Sequence, residues 1–372
     1  MRKAWIDGRP VSMEEAVRAT ADRIGRSRFP VVTGLATDLA GINAAITLCR
    51  VAGGAIDHAT SKEIYPLISA LRDGGMMLGA PAEIRRRADR VLIVGPDAFA
   101  PAPDLPQFLF SNGPDLGGRT KGGGRQALWL GAPSDAPPLP KAITVERVGC
   151  PEEGIVDALA MIRAALAGHR FGDGPLPEKR IGEIAAWLRG AAFGCAIFSP
   201  AAMDGLGVEM LAGLVFDLNA ETRFTSLPVF GPEQAYAAAI ATTWSTGFPL
   251  RTSFARGFPD HDPQLFEAGR LVAAGEADLA IHVAALDGTN AVEPEWSGRV
   301  PIVAVTAPGD AWIHTPEIGF EVALAGRDHD GALFDGTFGG FVPVPASSES
   351  DAPPSAEILS AIAAALGEAA PC

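Results

Sequence analysis

The sequence predicts an α/β fold of Rossmann-like, mostly parallel sheets in two or three domains, and three observations carry that prediction. Short continuous apolar runs recur, as at residues 91–94 and 127–130, and a run without alternation suits a strand buried on both faces of a parallel sheet. Helix-period segments alternate with these runs, as crossover connections require. Strands also give way to glycine turns, as residues 29–33 do at Gly34.

In chain order, Ser12 with Glu15 three residues on forms a capping box, and Val17 and Ile24 share the face of a first helix ending near Gly25. After the strand at 29–33, a helix over 39–51 places Ile42, Ala45, Ile46 and Cys49 at helical spacing and stops at Gly53 and Gly54. Strands follow at 91–94, 127–130 and 143–148, then helices near 153–167 and 177–188 and a strand at 194–198. Helix, strand and helix recur near 208–218, 224–229 and 232–243. Strands at 278–284 and 300–305, extended pieces near 320–324 and 340–344, and a helix at 356–366 complete the chain. A division near residue 190 gives a first α/β region of 1–60 plus 90–190, with irregular segments at 60–90 and 99–124. A second Rossmann-like region spans 191–345, and 346–372 is a linker and helix. The Pro- and Gly-rich stretch 99–124 has the length of a loop that serves an interface or a site.

Composition removes several functions. At 372 residues, with 48% hydrophobic and 20% charged residues, the chain can close ordinary cores, which excludes a disordered protein. A formal charge of −14 repels nucleic acid and anionic membranes, since binding either requires clustered cations. No run of about 18 apolar residues predicts a membrane span, and Asp7 and Arg9 stand where a signal peptide carries apolar residues. Cys49, Cys150, Cys195 and Cys372 form no CxxC pair, so they read as reduced thiols in a cytoplasmic protein without an iron–sulfur cluster.

Candidate chemistry is sparse. The stretch Gly117-Gly118-Arg119-Thr120-Lys121-Gly122-Gly123-Gly124-Arg125 reads either as a backbone nest for an anion or as a solvated turn. Asp260-His261-Asp262 and Asp328-His329-Asp330 place ligand types side by side, but adjacent residues on a loop do not converge on one ion. His282, inside an apolar run, reads as a hydrogen-bonded core histidine. No nucleophile elbow or paired acid is present, and Glu14 and Glu15 answer a helix dipole. Spacing alone assigns no catalytic residue.

The segments Val31-Val32-Thr33-Gly34-Leu35 and Gly53-Gly54-Ala55-Ile56-Asp57, then residues 88–95, Trp244-Ser245-Thr246-Gly247-Phe248-Pro249, Phe254-Ala255-Arg256-Gly257, Glu276-Ala277-Asp278 and residues 300–305, together resemble the tungsten- or molybdenum-binding β subunit of formylmethanofuran dehydrogenase. The likeness is collinear over nearly the whole chain and implies a fold related to the molybdopterin oxidoreductases. It begins after that family's cysteine cluster, at Trp5-Ile6-Asp7-Gly8, and so implies no electron relay. Where the family coordinates its metal through a cysteine or selenocysteine followed by histidine, this sequence has Glu63-Ile64. A carboxylate is a hard ligand and isoleucine donates nothing. Arg256 matches the arginine of that pocket.

A collinear fold without redox apparatus resembles the β subunit of the formyltransferase/hydrolase complex of methylotrophic bacteria. The resemblance implies a scaffold without catalytic residues, metal or other cofactor, with Glu63 and Arg256 as vestiges of a pterin pocket. It implies a hetero-oligomer with an α hydrolase, a γ subunit and a δ formyltransferase, which together convert formyl-tetrahydromethanopterin to formate through a furan-type carrier. Two alternatives stand beside it: an active tungsten or molybdenum enzyme with Glu63 as ligand and Arg256 aiding catalysis, or a residual cleft holding a small anion near Arg256 and the 117–125 loop.

Overall fold

The computed structural model describes residues 4–286 and 293–369. Backbone contacts divide the chain into two units. Met1–Ser61, Glu233–Phe334 and Phe341–Cys372 make the first, and Lys62–Pro232 with Asp335–Gly340 make the second. The expected division near residue 190 is corrected by strand pairing, because Gly194–Phe198 lies parallel to Arg90–Val94 and the chain on both sides of residue 190 builds one sheet. The closing helix, Ser355–Ala369, is likewise no separate region: it packs on helices Met13–Arg26 and Leu39–Ala52 of the first unit.

In the second unit, five parallel strands run in the order Ile143–Val148, Arg125–Leu130, Arg90–Val94, Gly194–Phe198, Phe224–Pro228. Three successive strands step one way and the last two add on the opposite flank, which is doubly wound topology. One face is closed by Ile84, Leu109, Phe110, Trp129 and Phe193.

Among the described residues, the first unit's sheet has the order Asp260–His261, Thr252–Ser253, Ala55–Ile56, Pro30–Ala36, Leu279–Ala284, Ile302–Thr306, Ile318–Glu321, Ala4–Ile6, Arg9–Pro10. Its five central strands are parallel and its rims antiparallel. An aspartate ties strand beginnings together in each sheet. Asp278 accepts from the N–H groups of Arg28 and Phe29, and Asp89 from those of Ala192 and Phe193.

Local chemistry sets the helix ends. Ser12 Oγ accepts from Glu15 N at 3.1 Å, Asp38 Oδ1 accepts from Gly41 N at 2.9 Å, and Gly53 ends its helix at φ 66°. Each cap satisfies a backbone group that the helix leaves open. In strand Pro30–Ala36, Gly34 has φ 80° and Leu35 φ 62°, and the register with Leu279–Ala284 slips there. A Cβ on Gly34 would stand 2.3 Å from Val283 O, so this bulge requires glycine.

The segment expected to be irregular at 60–90 contains two helices, Ser61–Asp73 and Pro81–Arg87. Pro66 lies inside the first and breaks the sequence signature of a helix without preventing one. The 99–124 stretch is irregular apart from Leu105–Phe110.

Candidate functional site

In the first unit, helix Leu39–Ala52 leads from strand Pro30–Ala36 to Ala55–Ile56 on one flank, while Leu279–Ala284 pairs on the other. The strand order reverses there, and the carboxyl ends at such a reversal are where open α/β sheets gather ligands. An apolar layer of Val31, Ala55, Ala280 and Ala304 backs this end, and polar side chains follow it.

Asp57 comes directly after Ala55–Ile56 and is 1% exposed. Its Oδ2 accepts from Ala268 N at 3.0 Å and its Oδ1 from His58 N at 2.9 Å. Arg251 Nε lies 3.6 Å from Oδ1. The same guanidinium donates through Nη1 to Pro263 O at 2.6 Å and through Nη2 to Ser61 Oγ at 3.1 Å. Burial pushes the Asp57 carboxyl up to about 6, against the downward pull of Arg251 and of bonds from Ala268, Ser61 and His58.

His58 is fixed at both ring nitrogens. Nε2 donates to Glu233 O at 2.8 Å, which leaves Nδ1 to accept from Thr60 N at 3.1 Å. Burial lowers its pKa to about 4, the Glu233 bond opposing and the nearby His282 reinforcing. His282 is buried, as its apolar run predicts, and stands edge-on to Trp312 at 5.6 Å. Its Nδ1 has no hydrogen-bond partner among the described residues. Burial lowers this pKa to about 4 as well, so both imidazoles are neutral near pH 7. A general base needs a nitrogen or oxygen within reach of a substrate proton; here the Asp57 carboxylate and both His58 nitrogens are engaged by the chain itself.

The residues singled out from sequence fall elsewhere. Arg256 belongs to the first unit, between strands Thr252–Ser253 and Asp260–His261; its side chain is 71% exposed and pairs with Asp260 at 3.4 Å. Glu63, half-buried, lies in the first turn of helix Ser61–Asp73 in the second unit. Arg125 is turned inward and 1% exposed: it donates to the carbonyls of Ala88, Leu109, Asn112 and Arg85, so it braces the Gly-rich loop and adds no cation to an anion nest there. Both Asp-His-Asp triplets are turn chemistry. Asp262 accepts from Gln264 N and Leu265 N, and Asp328 from Leu324 N and Arg327. Sequence reasoning misses Arg251 because its only mark there is its position after Pro249-Leu250; Asp57-His58 sits openly at the end of the Gly-Gly-Ala-Ile-Asp turn.

No family model matches the chain. The β subunit of the formyltransferase/hydrolase complex of Methylorubrum extorquens is 32% identical over 361 residues, covering 96% of this chain and 95% of the relative. The chain belongs to this β-subunit family. The likeness to formylmethanofuran dehydrogenase also holds: the β subunit of the tungsten-containing enzyme 2 of Methanocaldococcus jannaschii is 24% identical over 88% of this chain and 77% of its own length. A chain of the crystal structure of the Methylorubrum extorquens formyltransferase/hydrolase complex with methylofuran superposes with a TM-score of 0.87 at 31% identity, covering 98% of this chain and 99% of that one. The α/β class and parallel sheets predicted from sequence are those of this β-subunit family.

The residues that the resemblance matches to a tungsten or molybdenum pocket are Glu63 and Ile64. Glu63 offers a hard carboxylate in place of a thiolate, and its neighbour Ile64 is an apolar side chain 4% exposed that donates nothing. Burial pushes the Cys49 and Cys195 thiols up, and burial with nearby Glu153 and Asp157 raises Cys150. A protonated thiol is a poor ligand. Among the described residues no three His, Cys, Asp or Glu side chains converge on one point; Cys372 lies outside them.

Proposed function

We propose that this chain is a non-catalytic structural subunit of a formyltransferase/hydrolase complex. In this reading it assembles with an α hydrolase, a γ subunit and a δ formyltransferase, and it holds neither metal nor pterin. The assembled complex converts formyl-tetrahydromethanopterin to formate through a furan-type carrier during formaldehyde oxidation. One observation carries the non-catalytic part: at the carboxyl ends of the first unit's strands, Asp57 and His58 are occupied by Arg251 and by backbone groups of the same chain. Formyl transfer and hydrolysis move no electrons, so a subunit without a redox centre costs the chemistry nothing.

The working place in this reading is the cytoplasm. Three free thiols, Cys49, Cys150 and Cys195, suit a reducing compartment. Among the described residues no helix is long and apolar enough to cross a membrane.

Co-expression with the other three subunits, followed by native mass measurement and elemental analysis, tests the proposal. A hetero-oligomer whose tungsten and molybdenum fall far below one atom per chain is the expected result. A chain that stays monomeric beside its partners refutes the scaffold. Stoichiometric metal with pterin on this chain establishes the other reading, an active enzyme with Glu63 as ligand and Arg256 aiding catalysis.

A further inference from the structure

In the second unit, Arg85, Arg86 and Arg87 are consecutive at the end of helix Pro81–Arg87, and they differ in what answers them. Arg87 pairs with Glu83 at 2.5 Å and Arg86 with Asp115 at 2.9 Å. Arg85 has no carboxylate partner among the described residues. Its guanidinium carbon lies 4.8 Å from the centre of the Phe108 ring, and Phe108 is itself backed by Phe338 at 6.3 Å. A guanidinium held over an aromatic ring makes no hydrogen bond to it, which leaves its N–H groups for a carboxylate or phosphate, an ion that a planar guanidinium receives through two bonds.

These groups border a cavity of about 450 Å³, completed by Ala82, Asn112 and Gly113. Its two walls share one brace. The buried Arg125 guanidinium donates to Arg85 O at 2.6 Å and Ala88 O at 2.9 Å on the helix side, and to Leu109 O at 2.8 Å and Asn112 O at 2.9 Å on the other. Two guanidinium groups, those of Arg85 and Arg86, therefore line this cavity, with Asp115, the partner of Arg86, as the acid on its lining. That is a cationic spot on a chain whose formal charge is −14, and such a spot concentrates anions. Arg125 opens strand Arg125–Leu130 and Ala88 precedes Arg90–Val94, so the cavity lies where the strands begin, opposite their carboxyl ends.

From this geometry we propose that the second unit binds a small oxyanion, the carboxylate or phosphate of a metabolite, gripped by Arg85 with the ligand's flat or apolar part against Phe108. Calorimetric titration of the full chain with glutarate and, separately, with inorganic phosphate tests it. One saturable site is expected, weakened at least ~10-fold by Arg85→Gln, which removes a charge-assisted bidentate contact, and less by Phe108→Leu. Arg119→Gln, an exposed loop cation of the same unit, leaves the affinity unchanged. Tighter glutarate identifies a carboxylate source and tighter phosphate a phosphate source. Failure of both probes to saturate by tens of millimolar, or equal affinity in Arg85→Gln and the parent chain, overturns the proposal. The Arg85 side chain is exposed, so its variant keeps the parent's melting midpoint, and Phe108→Leu supplies an independent reading.

Discussion

Arg251 reaches Asp57 from a left-handed backbone: its φ is 59°, and its Nε stands 3.6 Å from a carboxylate whose side chain is 1% exposed. A non-glycine residue in that region costs on the order of 1 kcal/mol. The bonds from its guanidinium to Pro263 and Ser61 offset the cost, and they fasten the start of strand Thr252–Ser253 to Ser61 and to the chain that follows Asp260–His261.

Removing one partner of this pair strands the other in a dry interior. Arg251→Met is expected to lower stability by about 3 kcal/mol or more, the usual consequence of an uncompensated buried charge. The double variant Arg251→Met with Asp57→Leu should recover part of that loss. Urea unfolding midpoints of the three chains check both statements.

The pH dependence follows from opposing shifts. His58 and His282 fall from 6.5 to about 4 in the folded chain. The unfolded chain takes up protons there first, and stability drops as pH falls from 6.5 to 4. Asp57 runs the other way: raised from 3.8 to about 6, it binds its proton first in the folded chain and adds stability as pH falls through that range. Each histidine alone is worth roughly 3 kcal/mol over its window, and two histidines against one carboxyl leave a net loss. His282→Phe should flatten the profile between pH 6.5 and 4, and Asp57→Asn should steepen it. Unfolding midpoints measured across pH read the slopes directly.

Arg125 supports four carbonyl oxygens with one planar group. A lysine at that position offers a compact charge that cannot reach all four. Arg125→Lys is expected to destabilise the second unit by about 2 kcal/mol or more, since buried carbonyls left unbonded pay their desolvation in full. Limited proteolysis between residues 99 and 124 should accelerate in this variant.

Gly34→Ala meets two penalties at once, a φ of 80° and backbone 2.3 Å from the new Cβ. A loss of at least about 4 kcal/mol is expected. Soluble yield and thermal midpoint are the measurements, and a parent-like midpoint would contradict the bulge geometry.

Much of the fold was legible because its signals are local. The apolar runs at 91–94, 194–198 and 278–284 are strands Arg90–Val94, Gly194–Phe198 and Leu279–Ala284, and the Ser12 cap lies where its spacing put it. Strand partners were not legible, since periodicity states that a strand is buried and not beside which other strand. The division at residue 190 failed for that reason. The buried cluster was hidden in the same way: Asp57 and Arg251 are far apart in sequence and meet only when Thr252–Ser253 pairs with Ala55–Ile56. Arg256, five residues on, carried the resemblance yet faces solvent.

The interrupted course of the first unit bears on biogenesis. Pro30–Ala36 emerges from the ribosome early, yet its neighbour Leu279–Ala284 is made only after the whole of Lys62–Pro232. A nascent chain therefore carries an open strand edge through most of its synthesis, a state prone to stray pairing, while the intervening segment already contains every strand its own sheet needs. Delay at the ribosome falls on the half that was begun first.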